Sequence, residues 1–363
     1  MTDRTRHDAV DSTEEPRIRE ETTPGVRTPE VQDQEPASIG RSFLSWRTFV
    51  SFGVALAIIF FVFRGLNIDI KDSWRQIRQT NIGLFLGAVA IYYLTFAIRA
   101  YRWTGMLHQV GIRRENGYPV PGLPGMFQII VLSWFANSVL PARLGDAYRG
   151  YLLKQRAGAS FGVSFGTIVA ERLIDLVILV TVLLASGLVV FGTHTPENAQ
   201  NAFLAGGAVV LMGVAGVTTF WFFREKIERL LPGRIMPHYR KVRDGLFTAL
   251  AKPLPPALIS VLLWLCDGIR VYLVAWSLGH QISYPAGIMV ALLSSLVSII
   301  PFTPAGLGFV EGSMVTAFTQ IGVPASTAAA IALLDRVITY LSLIVVGIPL
   351  YIWVLRRDIR DKE

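Results

Sequence analysis

The sequence predicts an all-α protein: a polytopic integral membrane helical bundle with two re-entrant hairpins and an internal inverted repeat. Three observations predict it. Of 363 residues, 52% are hydrophobic and 17% charged, and the mean hydropathy is +0.47, whereas soluble domains carry about a quarter charged residues. Several apolar runs reach the roughly 20 residues that cross a bilayer, and they do not alternate as barrel strands would. The pentapeptide Pro141-Ala-Arg-Leu-Gly145 returns as Pro304-Ala-Gly-Leu-Gly308, each time after an apolar run that is short for a crossing.

Taken in order, residues 1–42 hold ten acidic residues and six arginines among Thr and Pro. That is the composition of a disordered tail, without a cleavable signal segment. The remainder, 43–363, is the membrane domain. Spans are predicted at 48–66, 82–104, 160–191, 202–223, 256–278 and 330–355. Loop 224–255 carries eight Lys and Arg, and the C-terminal end has Arg356, Arg357, Arg360 and Lys362. The positive-inside rule places both in the cytoplasm. Loops 192–201 and 279–284 lack Lys and Arg and go outside.

Counting backwards puts loop 105–125 and segment 141–159 inside, the latter with Arg143, Arg149, Lys154 and Arg156. Segment 126–140 then begins and ends on the cytoplasmic side, so it dips in and returns. Such a path is tolerated where protein or water covers its backbone. Segments 285–300 and 311–322, interrupted by Pro301, Pro304, Gly306 and Gly308, read as a second hairpin entering from outside. Both termini are cytoplasmic on this count. Loop 67–81 falls outside, although it carries Lys71, Arg75 and Arg78 against Asp69 and Asp72.

The two units, roughly 126–191 and 285–355, share more than the pentapeptide. Gly145 is followed 27 residues later by Arg172, in Glu171-Arg172-Leu-Ile-Asp175; Gly308 is followed 28 residues later by Arg336, in Asp335-Arg336. Inverted repeats with broken helices meeting near the midplane are a transporter architecture. At 1.5 Å per residue both acid-Arg pairs lie within about 5–7 Å of their helix centres. Charges at that depth face the bundle interior. Neighbours on a helix point about 100° apart, so each charge is expected to find its partner on another helix.

A phosphate headgroup crossing a membrane needs a polar path with cations, and Arg suits phosphate through its fixed fork of donors. The candidates are Arg143, Asp146 and Arg149 at the first break, Pro304, Gly306, Gly308 and Glu311 at the second, and Glu171, Arg172, Asp175, Arg270, Asp335 and Arg336 deeper in. Arg99 and Arg102 read first as interfacial side chains that snorkel, and Asp267 with Arg270, three residues apart, as a self-neutralising pair. Gly162-Val-Ser-Phe-Gly166 matches a hydrolase nucleophile elbow, but it runs into a membrane helix rather than following a strand. The spacing of Gly158, Gly162 and Gly166 suits close helix packing. The five His show no metal-ligand spacing and there is no Walker loop, so no cofactor is expected. The single Cys266 excludes an internal disulfide. Nucleic-acid binding is not expected, because the basic residues sit in loops beside apolar runs.

On Arg99 to Trp103, Arg143-Leu-Gly-Asp146-Ala-Tyr-Arg149, Glu171 to Asp175, Pro301 to Glu311 and Asp335-Arg336, the chain resembles the flippase-like membrane family typified by the transmembrane domain of lysylphosphatidylglycerol synthase, which includes UPF0104-like proteins. The likeness covers roughly 48–355. Asp146 departs from the Glu frequent there but keeps the charge. The resemblance implies a lipid flippase of the cell membrane, moving an anionic, aminoacylated or polyprenyl-phosphate-linked lipid between leaflets. Its partners would be those lipids and a lipid or glycan synthase. Ending at Glu363, soon after the last span, the chain is expected to do no aminoacyl transfer itself. The alternatives are a membrane glycosyltransferase, against which the short outer loops count, and a non-transporting partner of a synthase.

Overall fold

The computed structural model describes residues 69–140, 144–192, 232–298 and 303–360, with isolated positions at 64–65 and between 204 and 226. The tail 1–42, Arg143, and most of the spans expected at 48–66 and 202–223 lie outside the described residues. Among the described residues the regular structure is helical. Four stretches of the described residues are long and apolar enough to cross a membrane, within Ile82–Asn116, Phe161–Phe191, Leu254–Ser277 and Ala325–Val354.

Helix α1 (Ile70–Arg78) corrects the reading of 67–81 as a loop. Asp69 caps it, accepting the N–H groups of Lys71 and Asp72 at 2.9 and 3.2 Å, two of the donors a helix start leaves without partners. The buried Ser73 ties it to the body by donating to Ser326 O at 2.9 Å. Helix α2 (Ile82–Gln109) starts at Asn81, whose side chain accepts Leu84 N–H at 3.2 Å. Helices α3 (Leu123–Val139), α4 (Leu144–Ala157) and α5 (Phe161–Phe191) follow. The basic stretch 224–255 also contains a helix, α6 (Met236–Leu250). Helices α7 (Leu254–Ser277), α8 (Tyr284–Val297), α9 (Phe309–Gln320) and α10 (Ala325–Arg336) complete the bundle. Helix α10 runs through a π turn, Val337–Leu341, into α11 (Ser342–Arg360).

Helices α5 and α6 pack backbone to backbone. A Cβ at Gly166 would collide with Val242 O, and one at Gly245 with Val163 O, so only glycine permits this approach. The helix-packing reading of the Gly-x-x-x-Gly spacing holds for Gly162 and Gly166. Gly158 does not take part: it sits at φ +62° in the turn before α5, with open space where a Cβ would stand.

The first break is a tight hairpin. Ser133 Oγ donates to Gly145 O, and Gly145 N–H donates to Asn137 Oδ1, each at 2.8 Å. A Cβ at Gly145 would collide with Ser133 O, so the first turn of α4 lies directly on the end of α3. The second break is built from left-handed backbone, with φ +51° at Ala305, +68° at Gly306 and +88° at Gly308. Thr303 Oγ1 donates across it to Leu307 O at 2.8 Å. At 17, 14, 14 and 12 residues, α3, α4, α8 and α9 are about 18–25 Å long, against a hydrocarbon core of about 30 Å.

Candidate functional site

The interior is apolar, and a network of buried charges runs through it. Each charge is placed by helix periodicity and held by a partner from another helix, because an unpaired charge at membrane depth costs several kcal/mol. The acid-Arg pair on α5 does not neutralise itself. Arg172 reaches back to the first turn of α4, where Nε and Nη2 hold Asp146 in a fork at 3.0 and 2.6 Å. Glu171 points elsewhere and accepts Arg149 of α4, at 3.2 Å, and Arg102 of α2, at 3.0 Å. Arg102 also grips Asp175 through Nη1 and Nη2 at 2.5 and 3.0 Å, and Ser260 Oγ donates to the same carboxylate at 2.8 Å.

The second unit is wired in the same way. Arg336 reaches the first turn of the helix after its break, with Nε 2.8 Å from Glu311 Oε1. The other Glu311 oxygen accepts Gly308 N–H at 2.6 Å, closing the broken backbone. Asp335 turns away and pairs with Arg270 of α7. In both units an acid in the first turn after the break holds the arginine, and an arginine from outside the unit (Arg102 or Arg270) holds the acid, joined in the first unit by Arg149.

Arg99 and Arg102 do not snorkel. Both are buried; Arg99 lies 3.5 Å from Asp267 and stacks over Trp134 with its guanidinium carbon 4.7 Å from the ring centre. Asp267 and Arg270 do face each other, at 3.5 Å, but each has a second partner, Arg99 and Asp335. The self-neutralising pair is thus part of a longer chain, Arg99–Asp267–Arg270–Asp335. Arg149 stacks over Trp103 at 4.5 Å. Such contacts replace part of the hydration a buried guanidinium loses.

Where the two breaks and the long helices meet is a cavity of about 200 Å³. Its wall carries Arg99, Arg172, Arg270 and Arg336 against Asp175, Asp267 and Asp335. Asn137 and Ser138 reach it from the first break, Thr303 and Ala305 from the second. Of the candidates, Arg172, Asp175, Arg270, Asp335 and Arg336 lie on this wall. Asp146, Arg149, Glu171 and Glu311 stand behind it, as partners of wall residues or of one another. Gly306 and Gly308 shape the second break; Pro304 opens its 3₁₀ turn, Pro304–Gly306. The sequence reading passed over Tyr92, Trp134, Asn137 and Trp264 on the wall, and Ser260 beside Asp175. Aromatic and hydroxyl residues in an apolar helix look like ordinary core, so they gave no signal.

Fold and site together define a helical membrane protein with buried arginines and aspartates on the wall of an interior cavity. The chain belongs to the family described as the lysylphosphatidylglycerol synthase TM region, whose model matches residues 48–347. It is 30% identical to a UPF0104 membrane protein of Methanocaldococcus jannaschii over 63% of this chain and 98% of that one. To a UPF0104 membrane protein of Pyrococcus horikoshii it is 25% identical, over 79% and 91%. It is also similar to the glycosyltransferase AglD of Haloferax volcanii, at 24% identity over 85% of this chain and 55% of that protein.

Proposed function

We propose that the protein moves a phosphate-bearing lipid, anionic, aminoacylated or polyprenyl-phosphate-linked, between membrane leaflets without covalent chemistry. One observation carries the reading: a cavity inside an apolar bundle whose wall holds four arginines against three aspartates. A phosphate there is offered guanidinium donors in a low-dielectric site, where charge-assisted hydrogen bonds are strong, while its acyl or prenyl chains stay in the bilayer. Arg172, Arg270 and Arg336 grip the headgroup in this scheme, and Arg149 holds Glu171 behind them. Arg336 has a donor to spare, since its buried Nη2 has no protein acceptor among the described residues.

The two hairpins are re-entrant in this reading, related by inversion, with both termini cytoplasmic and the whole chain multi-pass. Two features support it: the four hairpin helices, at 12–17 residues, are at or below the lower limit for crossing, and the ion-pair wiring is duplicated. Alternating access would open the cavity to each leaflet in turn. The likeness to a protein named a glycosyltransferase supports a second reading, in which the chain assists or performs sugar transfer. That match spans about half of the glycosyltransferase.

Purified protein reconstituted with headgroup-labelled lipids and a leaflet-accessibility assay tests the first reading. Transport by the wild type and its loss in Arg336→Ala, with insertion retained, is the expected result. Consumption of a sugar-phospholipid donor without lipid movement would transfer the case to the second.

A further inference from the structure

The hydroxyls on the cavity wall are one-sided in their hydrogen bonding. Every serine and threonine hydroxyl on it donates its proton back to a nearby backbone carbonyl. Thr95 donates to Tyr92 O at 2.6 Å, Ser294 to Val290 O at 2.6 Å, Ser295 to Ala291 O at 2.9 Å, and Thr339 to Asp335 O at 2.9 Å. Ser138, Ser298 and Thr303 do the same toward Trp134, Ser295 and Leu307. The Tyr92 hydroxyl is spent on Thr339 O, at 3.0 Å. A hydroxyl has one proton and two lone pairs. With the proton used, the oxygens of Thr95, Ser138, Ser294, Ser295, Thr303 and Thr339 are left with acceptor lone pairs.

The donors on the wall are of another kind. They are the guanidinium groups, the Asn137 amide and the indoles of Trp134 and Trp264; the Trp264 Nε1–H is buried with no acceptor among the described residues. That residue belongs to the cavity wall. A ligand satisfying the cavity must therefore bring both an anionic acceptor for arginine and several donors of its own for the hydroxyl lone pairs.

We infer that the headgroup is a phosphate joined to a hydroxyl-rich group, a polyol or a sugar, and net anionic. This deepens the transport reading and rests on it. Phosphatidic acid brings the anion without the array of donors. An aminoacylated headgroup brings donors, but its ammonium offsets the phosphate charge that the wall arginines bind. The volume is consistent: about 200 Å³ is more than a phosphate group needs and leaves space for a small polyol.

The test is a set of proteoliposomes containing phosphatidylglycerol, phosphatidylinositol, phosphatidic acid or lysyl-phosphatidylglycerol as the transported lipid, with soluble glycerol phosphate sealed inside a further set. Phosphatidylglycerol and phosphatidylinositol are expected to equilibrate at least tenfold faster than the other two. Trp264→Phe, which keeps the ring and loses the donor, should narrow that gap by slowing the polyol lipids alone. Equal rates for phosphatidic acid and phosphatidylglycerol would overturn the inference while leaving lipid transport intact. Faster movement of lysyl-phosphatidylglycerol would also overturn it. If no lipid moves, transport fails first, and release of the sealed glycerol phosphate would then keep the polyol-phosphate chemistry but assign it to a soluble substrate.

Discussion

Arg102 and Arg172 sit on neighbouring parts of one charge network, yet their replacement is expected to do opposite things. The Arg102 side chain is 1% exposed and holds two carboxylates, Glu171 and Asp175. In Arg102→Gln, Glu171 keeps Arg149 but Asp175 is left with the Ser260 hydroxyl. Removing one partner of a buried ion pair costs about 3–5 kcal/mol, against a total stability on the order of 5–15 kcal/mol. The Arg172 and Asp146 side chains are 28% and 14% exposed, and Asp146 retains Asn137 Nδ2 at 3.4 Å. A pair that keeps contact with water is worth less, so Arg172→Gln should cost roughly 1–2 kcal/mol. Thermal unfolding in detergent, followed by size-exclusion fluorescence, ranks the two. Arg102→Gln is expected to collapse expression or melt far below wild type. Arg172→Gln should fold and lose transport. The double variant Asp146→Asn/Arg172→Gln removes both charges and should recover most of the lost stability without recovering transport. If transport returns in the double variant, Arg172 is a lock between α4 and α5 and not a headgroup ligand. If Arg102→Gln melts no lower than Arg172→Gln, the burial argument is wrong.

Three further outcomes follow from the same geometry. Ala305→Gly relieves a left-handed alanine, a conformation costing about 1–2 kcal/mol, and should raise the thermal midpoint; a lowered midpoint would show that the alanine methyl does more by packing than it loses in strain. Gly166→Leu forces a side chain into Val242 O and should destabilise by at least about 1–3 kcal/mol, seen as a lower midpoint and protease cleavage between α5 and α6. In a Cys266→Ala background, Pro196→Cys and Arg240→Cys should react with an impermeant maleimide from opposite faces of the membrane; labelling from one face overturns the proposed topology.

The sequence by itself determined the helices that bury apolar surface. Expected bounds of 160–191 and 256–278 meet observed Phe161–Phe191 and Leu254–Ser277, because a run of apolar residues ended by Gly or Pro has one economical conformation in a membrane. It also determined that the Pro-Ala-x-Leu-Gly segments interrupt helices and that deep charges need partners on other helices, since both follow from local stereochemistry. It did not determine α1 or α6. Their polar faces and charges resemble loops, and what keeps each helical is tertiary: Ser73 bonded to Ser326 O, and Gly245 seated on Val163. Nor did it determine which partner each charge takes. Glu171 and Arg172 are adjacent in the chain, but helical rotation sends one toward Arg102 and Arg149 and the other toward Asp146. Arg102 looked interfacial because it lies near the end of its apolar run, and only the packing of α5 and α7 over it makes it an interior residue. The wall hydroxyls carried no signal for the same reason. In a line of residues Ser294 and Thr339 are small polar residues in an apolar helix; the direction in which each spends its proton, and the cavity left facing its lone pairs, exist only once the helices have assembled.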